Sequence, residues 1–287
     1  MSAAEVTASR QTSIQPQFRT IDGLQIRIAE SEPRGDHAIL LSPWPESLFA
    51  YDQMWNRLAE HTHLVAVDLP GFGHSEARAP LLAPRAMGEF LVEIADALEL
   101  EQPHVVGPDV GAPAALFAAA DHPGRFRSLV VGSGGVSYPL QLGGVLQDWV
   151  SAPDLDALRR VDGRDIVAAA IGNLERYAIP DPVREDYLSA YEGERFVESA
   201  AYVRAYPTEL RILSELLPGI ETPVQIMCPL WDWIVPPSNH RFLRRKLPHS
   251  KLDLLDAAHF PWEDVPDAYA DLVTAWWAGG YNAVSAS

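Results

Sequence analysis

The 287-residue chain is 47% hydrophobic with a single cysteine, enough apolar material for one large α/β core and none for an internal disulfide. Its 22 basic and 39 acidic residues leave a net charge of −17, which argues against nucleic acid, anionic membrane and polyanionic substrates as partners; the partner expected is a small apolar substrate. No apolar run has signal-peptide or membrane-spanning length, so a cytoplasmic location is expected, with residues 1–15 disordered.

Residues 18–20 and 24–28 flank Asp22-Gly23, a strong turn signal, so the sheet is predicted to open with an antiparallel hairpin. Residues 38–41 read as a buried strand, followed by a loop and a helix around Met54, Trp55 and Leu58. The strand over 63–67 runs into Asp68-Leu69-Pro70-Gly71-Phe72-Gly73-His74-Ser75, whose glycines and proline mark a sharp loop. A helix over 87–98, a strand ending in Asp109, an alanine-rich helix from Ala112 and a strand over 126–131 follow. This alternation predicts a mostly parallel sheet with helices on both faces. Over 137–218 it stops, and short amphipathic helices rich in Arg, Asp, Glu and Tyr read as an inserted helical cap. Strand signals return at 224–227 and 251–255, so residues 16–136 and 219–287 form the core, and the last helix is expected to end near Trp276-Trp277.

In such a sheet reactive groups gather at the carboxyl ends of the strands. Gly107-Pro108-Asp109-Val110-Gly111 stands at one such end, a small-x-nucleophile-x-small turn with aspartate in the reactive position. An ionised carboxylate attacking an ester would give an unproductive anhydride. Its natural target is sp³ carbon bearing a strained or departing group, as in epoxides and carbon–halogen compounds, and the product is an alkyl ester on the protein. His259 follows the last strand and Asp232 the one before, giving the order nucleophile, acid, base. Asp232 would hold the imidazole tautomer while His259 activates water. Asp256 and Asp68 compete for the acid role, but Asp256 is too near along the chain and Asp68 reads as a loop former. In Ser42-Pro43-Trp44-Pro45-Glu46-Ser47 the two prolines lack N–H groups, so the Trp44 N–H is the available oxyanion donor, paired with that of Val110. The aromatic residue before Pro45 makes a cis peptide plausible.

These segments resemble the aspartate-nucleophile branch of the α/β-hydrolase fold, which contains epoxide hydrolases and several dehalogenases, with epoxide hydrolases the nearest match. The resemblance spans residues 18–280 and departs at Ser42-Pro43, where the family carries His-Gly, and at Pro108, where a histidine is common. It implies a cofactor-independent and metal-free reaction. It further implies that cap tyrosines protonate the epoxide oxygen, with Tyr202 the favoured donor and Tyr177, Tyr187, Tyr191 and Tyr206 also in the cap. Trp44, Trp149, Tyr177 and Tyr206 are the expected substrate contacts. Haloalkane dehalogenases have tryptophan directly after the nucleophile, where this chain has Val110, although Trp149, Trp231 or Trp233 can supply indole N–H groups from elsewhere. Epoxide hydrolysis is therefore the expectation, dehalogenation the alternative and a binding protein without turnover a distant third. The sequence leaves room for a homodimer.

Overall fold

The computed structural model describes residues 12–285. Its eight-stranded sheet has the order β1-β2-β4-β3-β5-β6-β7-β8, with β1 (Gln17–Ile21), β2 (Leu24–Glu30), β3 (His37–Leu41), β4 (His63–Val67), β5 (His104–Pro108), β6 (Ser128–Gly132), β7 (Val224–Pro229) and β8 (Ser250–Leu255). β1 and β2 are antiparallel to their neighbours and the rest pair in parallel. The hairpin turns at Asp22 and Gly23, both at positive φ, as the Asp-Gly pair predicts.

The central strands β4, β5 and β6 are buried along their whole length, as strands covered on both faces must be. Alternate residues feed two separate cores: Ile39 and Leu41 pack on one side, Ala38 and Leu40 on the other. Of the helices, α1 (Trp55–Ala59) covers the second face, and α2 (Pro84–Ala97) and α3 (Gly111–Asp121) cover the first. Between β6 and β7 the chain forms α4 (Gly144–Ser151), α5 (Gly163–Ile171), α6 (Asp181–Ala190), α7 (Arg195–Ser199), α8 (Ala201–Arg204) and α9 (Tyr206–Leu216), with no strand. Beyond β7 come α10 (Ser238–Lys246), α11 (Pro261–Asp264) and α12 (Pro266–Ala275), the last continuing into a π-helical turn over Trp276–Gly280.

The helical insertion is fastened to the core by charge. Arg27 of β2, nearly buried, donates to both carboxylate oxygens of Asp186 on α6 at 3.1 and 2.5 Å and lies 3.4 Å from Asp68. Ser47 Oγ donates to the same Asp186 at 2.6 Å, and Arg195 Nη2 donates to the Gly73 and Ser75 carbonyls. One expectation needs correction. Ser13 and Ile14 donate their backbone N–H groups to Asp52 and Ile14 is fully buried, so residues 12–15 are anchored rather than disordered; residues 1–11 lie outside the described residues. Among the described residues no helix is long and apolar enough to cross a membrane.

Candidate active site

Asp109 follows the carboxyl end of β5 at a φ of 49°, the left-handed conformation of a sharp strand-to-helix turn. Its N–H is held by the Gly132 carbonyl at 2.9 Å. The turn closes because its neighbours are bare: a Cβ on Gly107 would stand 2.7 Å from the Gly111 carbonyl oxygen, and one on Gly134 2.4 Å from that of Asp109. The strain therefore serves to present a carboxylate above the sheet edge.

That carboxylate is held asymmetrically. The Trp44 N–H donates to Oδ2 at 2.8 Å, and the Val110 N–H also bonds to the carboxylate. Oδ1 faces His259 Nε2 at 3.8 Å, too far for a direct hydrogen bond. His259 Nδ1 donates to Asp232 Oδ2 at 2.9 Å, which leaves Nε2 as the ring's acceptor. The other Asp232 oxygen accepts the Ile234 and Val235 N–H groups at 3.0 and 2.8 Å, so the acid is fixed by backbone in a loop carrying Pro236 and Pro237. Burial pushes the Asp109 pKa up to about 6 against the lowering influence of His259 and the two N–H groups. For His259 burial acts downward, but Asp232 and then Asp109 outweigh it and raise its pKa above the ordinary imidazole value.

The expected oxyanion donors, Trp44 and Val110, thus reach the carboxylate of Asp109 itself. Trp44–Pro45 is cis. The rival acids are placed elsewhere: Asp256 is exposed and bound by Trp231 Nε1 and Arg176, while buried Asp68 accepts the His74 N–H of its own loop and the Leu48 N–H from the segment after β3. Buried Cys228 is bulk in β7.

Asp109 and His259 line a pocket of about 500 Å³ between the sheet edge and the insertion, walled by Trp44, Leu146, Trp149, Phe196, Ile234 and Phe260. Trp44 stacks on Phe196 at 4.9 Å and meets Trp149 edge-on, while its indole N–H donates to Ser199. Trp233 lines the pocket mouth. The expected cap tyrosines do not line it. Tyr202 is buried beside Phe72 and Tyr206 with its hydroxyl donating to the Val110 carbonyl at 2.7 Å, so it braces the turn rather than facing Asp109. Tyr187 donates to Glu263, Tyr191 bonds Gly73 and the Glu46 carbonyl, and Tyr206 packs where Gly135 leaves room for its ring. Tyr177 is half-buried outside the lining. The sequence put Tyr202 and Tyr206 on one helix, whereas they fall on α8 and α9, and a hydroxyl's direction depends on helix rotation within the insertion, which periodicity does not supply.

Behind Trp44 lies a carboxyl cluster that sequence reasoning missed. Glu46 is fully buried, accepts from Trp262 Nε1 at 2.8 Å and has its other oxygen unpartnered. Burial first, then nearby Glu263, pushes its pKa well above the ordinary range. Its signal was Glu46 itself, an acid inside an otherwise apolar and proline-rich loop.

A mostly parallel sheet carrying an elbow after β5, an acid after β7 and a histidine after β8 defines a hydrolase of the α/β class. The model of the α/β hydrolase fold family matches residues 39–266, and the chain belongs to that family. It is 31% identical over 199 residues to a 2-hydroxymuconate semialdehyde hydrolase of Pseudomonas sp. (strain CF600), covering 64% of this chain and 70% of that one. It is 24% identical over 261 residues to a pimeloyl-[acyl-carrier protein] methyl ester esterase of Neisseria meningitidis serogroup B, covering 84% and 92%. Among solved structures, the epoxide hydrolase CorEH superposes with a TM-score of 0.76 over 92% of this chain and 99% of that one, at 17% identity. That likeness carries the fold alone. The relationship shown is to α/β hydrolases at large, and the special place of epoxide hydrolases expected from sequence rests on the identity of residue 109.

Proposed function

We propose that this hydrolase opens an epoxide to a diol through an alkyl ester on Asp109. The carrying observation is the asymmetric carboxylate, Oδ2 tied to the Trp44 N–H and Oδ1 facing His259 Nε2 at 3.8 Å beside the pocket. Oδ1 attacks one epoxide carbon, the carbon–oxygen bond breaks, and the departing oxygen takes a proton from water, since no tyrosine hydroxyl lines the pocket. His259, held by Asp232, then removes a proton from a second water, which attacks the Asp109 carbonyl carbon. The developing oxyanion on Oδ2 already accepts the Trp44 N–H, and the Val110 N–H reaches the same carboxyl group. Its collapse breaks the bond to the alkyl oxygen, which takes the proton held by His259 and leaves as the diol, while the acid proton of Asp109 neutralises the hydroxide formed in the first step and the carboxylate is restored.

Hydrolytic dehalogenation is the second reading, and one observation favours it: the pocket is lined by the indoles of Trp149 and Trp233 and by no phenol. An indole N–H stabilises a leaving halide without surrendering a proton, whereas an epoxide oxygen must gain one. Intact-mass measurement of His259→Gln incubated with terminal epoxides and bromoalkanes separates the two. A gain equal to the whole epoxide, mapped to Asp109, supports the first reading. A gain equal to the alkyl group with free bromide supports the second. No adduct from either series, with no turnover by the unaltered enzyme, overturns both.

A further inference from the structure

The pocket is much larger than a reacting epoxide, and its polar groups away from Asp109 and His259 lie along one helix. α5 turns residues 165, 166, 169, 170 and 173 toward it, the spacing of one helical face continued just past the helix end. Ile166, Ala169 and Ala170 make this face apolar and shallow, and Asp165 and Asn173 stand at its ends, roughly 12 Å apart at helical rise. Both ends present acceptors. The Asp165 carboxylate is exposed and has no ion-pair partner among the described residues. Asn173 uses its Nδ2 on the Ala169 and Ala170 carbonyls at 3.0 and 3.1 Å, which leaves the amide oxygen to face a ligand. Arg164, the adjacent base, is turned to Glu185 and Glu192, and neither arginine nor lysine lines the pocket.

We infer that this α5 face is a specificity subsite for a hydrogen-bond-donating, positively charged substituent, so that the preferred substrate is an apolar molecule bearing a protonated amine at the end remote from its reacting carbon. The inference deepens the hydrolase reading and rests on it for the word substrate, but the subsite itself is a binding property. An ammonium gains attraction from Asp165, finds an acceptor in Asn173 and meets aromatic walls in Trp149 and Trp233. A carboxylate there meets Asp165 with neither arginine nor lysine in the lining to compensate.

Binding is read from tryptophan fluorescence with three probes of one shape: 4-phenylbutylamine, 4-phenylbutanol and 4-phenylbutyrate. The amine is expected to bind about two- to fivefold tighter than the alcohol, the gain of an exposed ion pair, and the carboxylate weaker than both. Asp165→Asn removes the amine's advantage, Asn173→Leu reduces it, and Glu93→Gln, on the exposed side of α2, leaves it intact. The advantage persists in Asp109→Asn, which separates this subsite from the carboxylate at the elbow. Equal binding of amine and carboxylate, or an advantage lost in Asp109→Asn but kept in Asp165→Asn, overturns the inference. Failure of the His259→Gln adduct experiment with these binding results intact overturns the covalent reading alone.

Discussion

The pH dependence of the two half-reactions follows from the charges around Asp109. Ester formation needs the carboxylate, whose pKa burial has raised to about 6. Its ionised fraction is near one at pH 8 and falls about tenfold for each unit below 6, so single-turnover alkylation at pH 5 should run about tenfold slower than at pH 7. Ester breakdown needs neutral His259. In the free enzyme its pKa is raised by Asp232 and Asp109 together; esterification removes the Asp109 charge, so the pKa falls and the ring releases its proton as the base is required. Breakdown should therefore also rise with pH, with a midpoint below that of His259 in the free enzyme. Rapid-quench mass spectrometry with styrene oxide resolves the steps, and titration of the His259 ring by NMR in the free and alkylated protein measures the shift. Alkylation that is flat or falling between pH 5 and 8, or a His259 pKa that rises on esterification, would refute the electrostatic account.

Three substitutions probe the scaffold. Gly134→Ala sets a methyl carbon 2.4 Å from the Asp109 carbonyl oxygen, so the turn must shift; adduct formation should fall at least tenfold and the melting temperature drop, both measurable on the same preparation. Tyr202→Phe removes a buried hydrogen bond to Val110 and should cost about 1 kcal/mol in urea denaturation while alkylation stays within roughly threefold; a hundredfold loss would restore the hydroxyl to a proton-donating role. Arg27→Met leaves buried Asp68 and half-buried Asp186 without the guanidinium they share, about 3 kcal/mol or more, seen in calorimetry as a melting temperature lowered by roughly 6–12 °C. An unchanged melting temperature would mean that the Arg27–Asp186 pair does not hold the insertion to the core.

The linear order of residues was enough for the sheet, because its strands are short apolar runs whose two-residue alternation and bounding turns are local properties. It was enough as well for the relative placement of Asp109, Asp232 and His259, since the carboxyl ends of parallel strands converge whatever lies between them. Asp22-Gly23 and the bare glycines of the elbow were legible for the same reason: backbone conformation is written in one or two residues. Ser13 and Ile14 were misread because their anchor, Asp52, lies in another element, and nothing in a polar tail announces a partner 39 residues away. The same holds more strongly in the helical insertion. Its amphipathic patterns mark buried faces, but Tyr202 turns to the Val110 carbonyl and not to Asp109 through a rotation set by how α8 and α9 dock on α3 and Phe72. Likewise Arg27 and Asp186, 159 residues apart, become one ion pair only when α6 closes over β2. Local backbone preference and strand order thus determined which groups meet at the sheet edge. Only tertiary packing decided what faces them across the pocket, because helix rotation and long-range charge pairing depend on contacts that no sequence window contains.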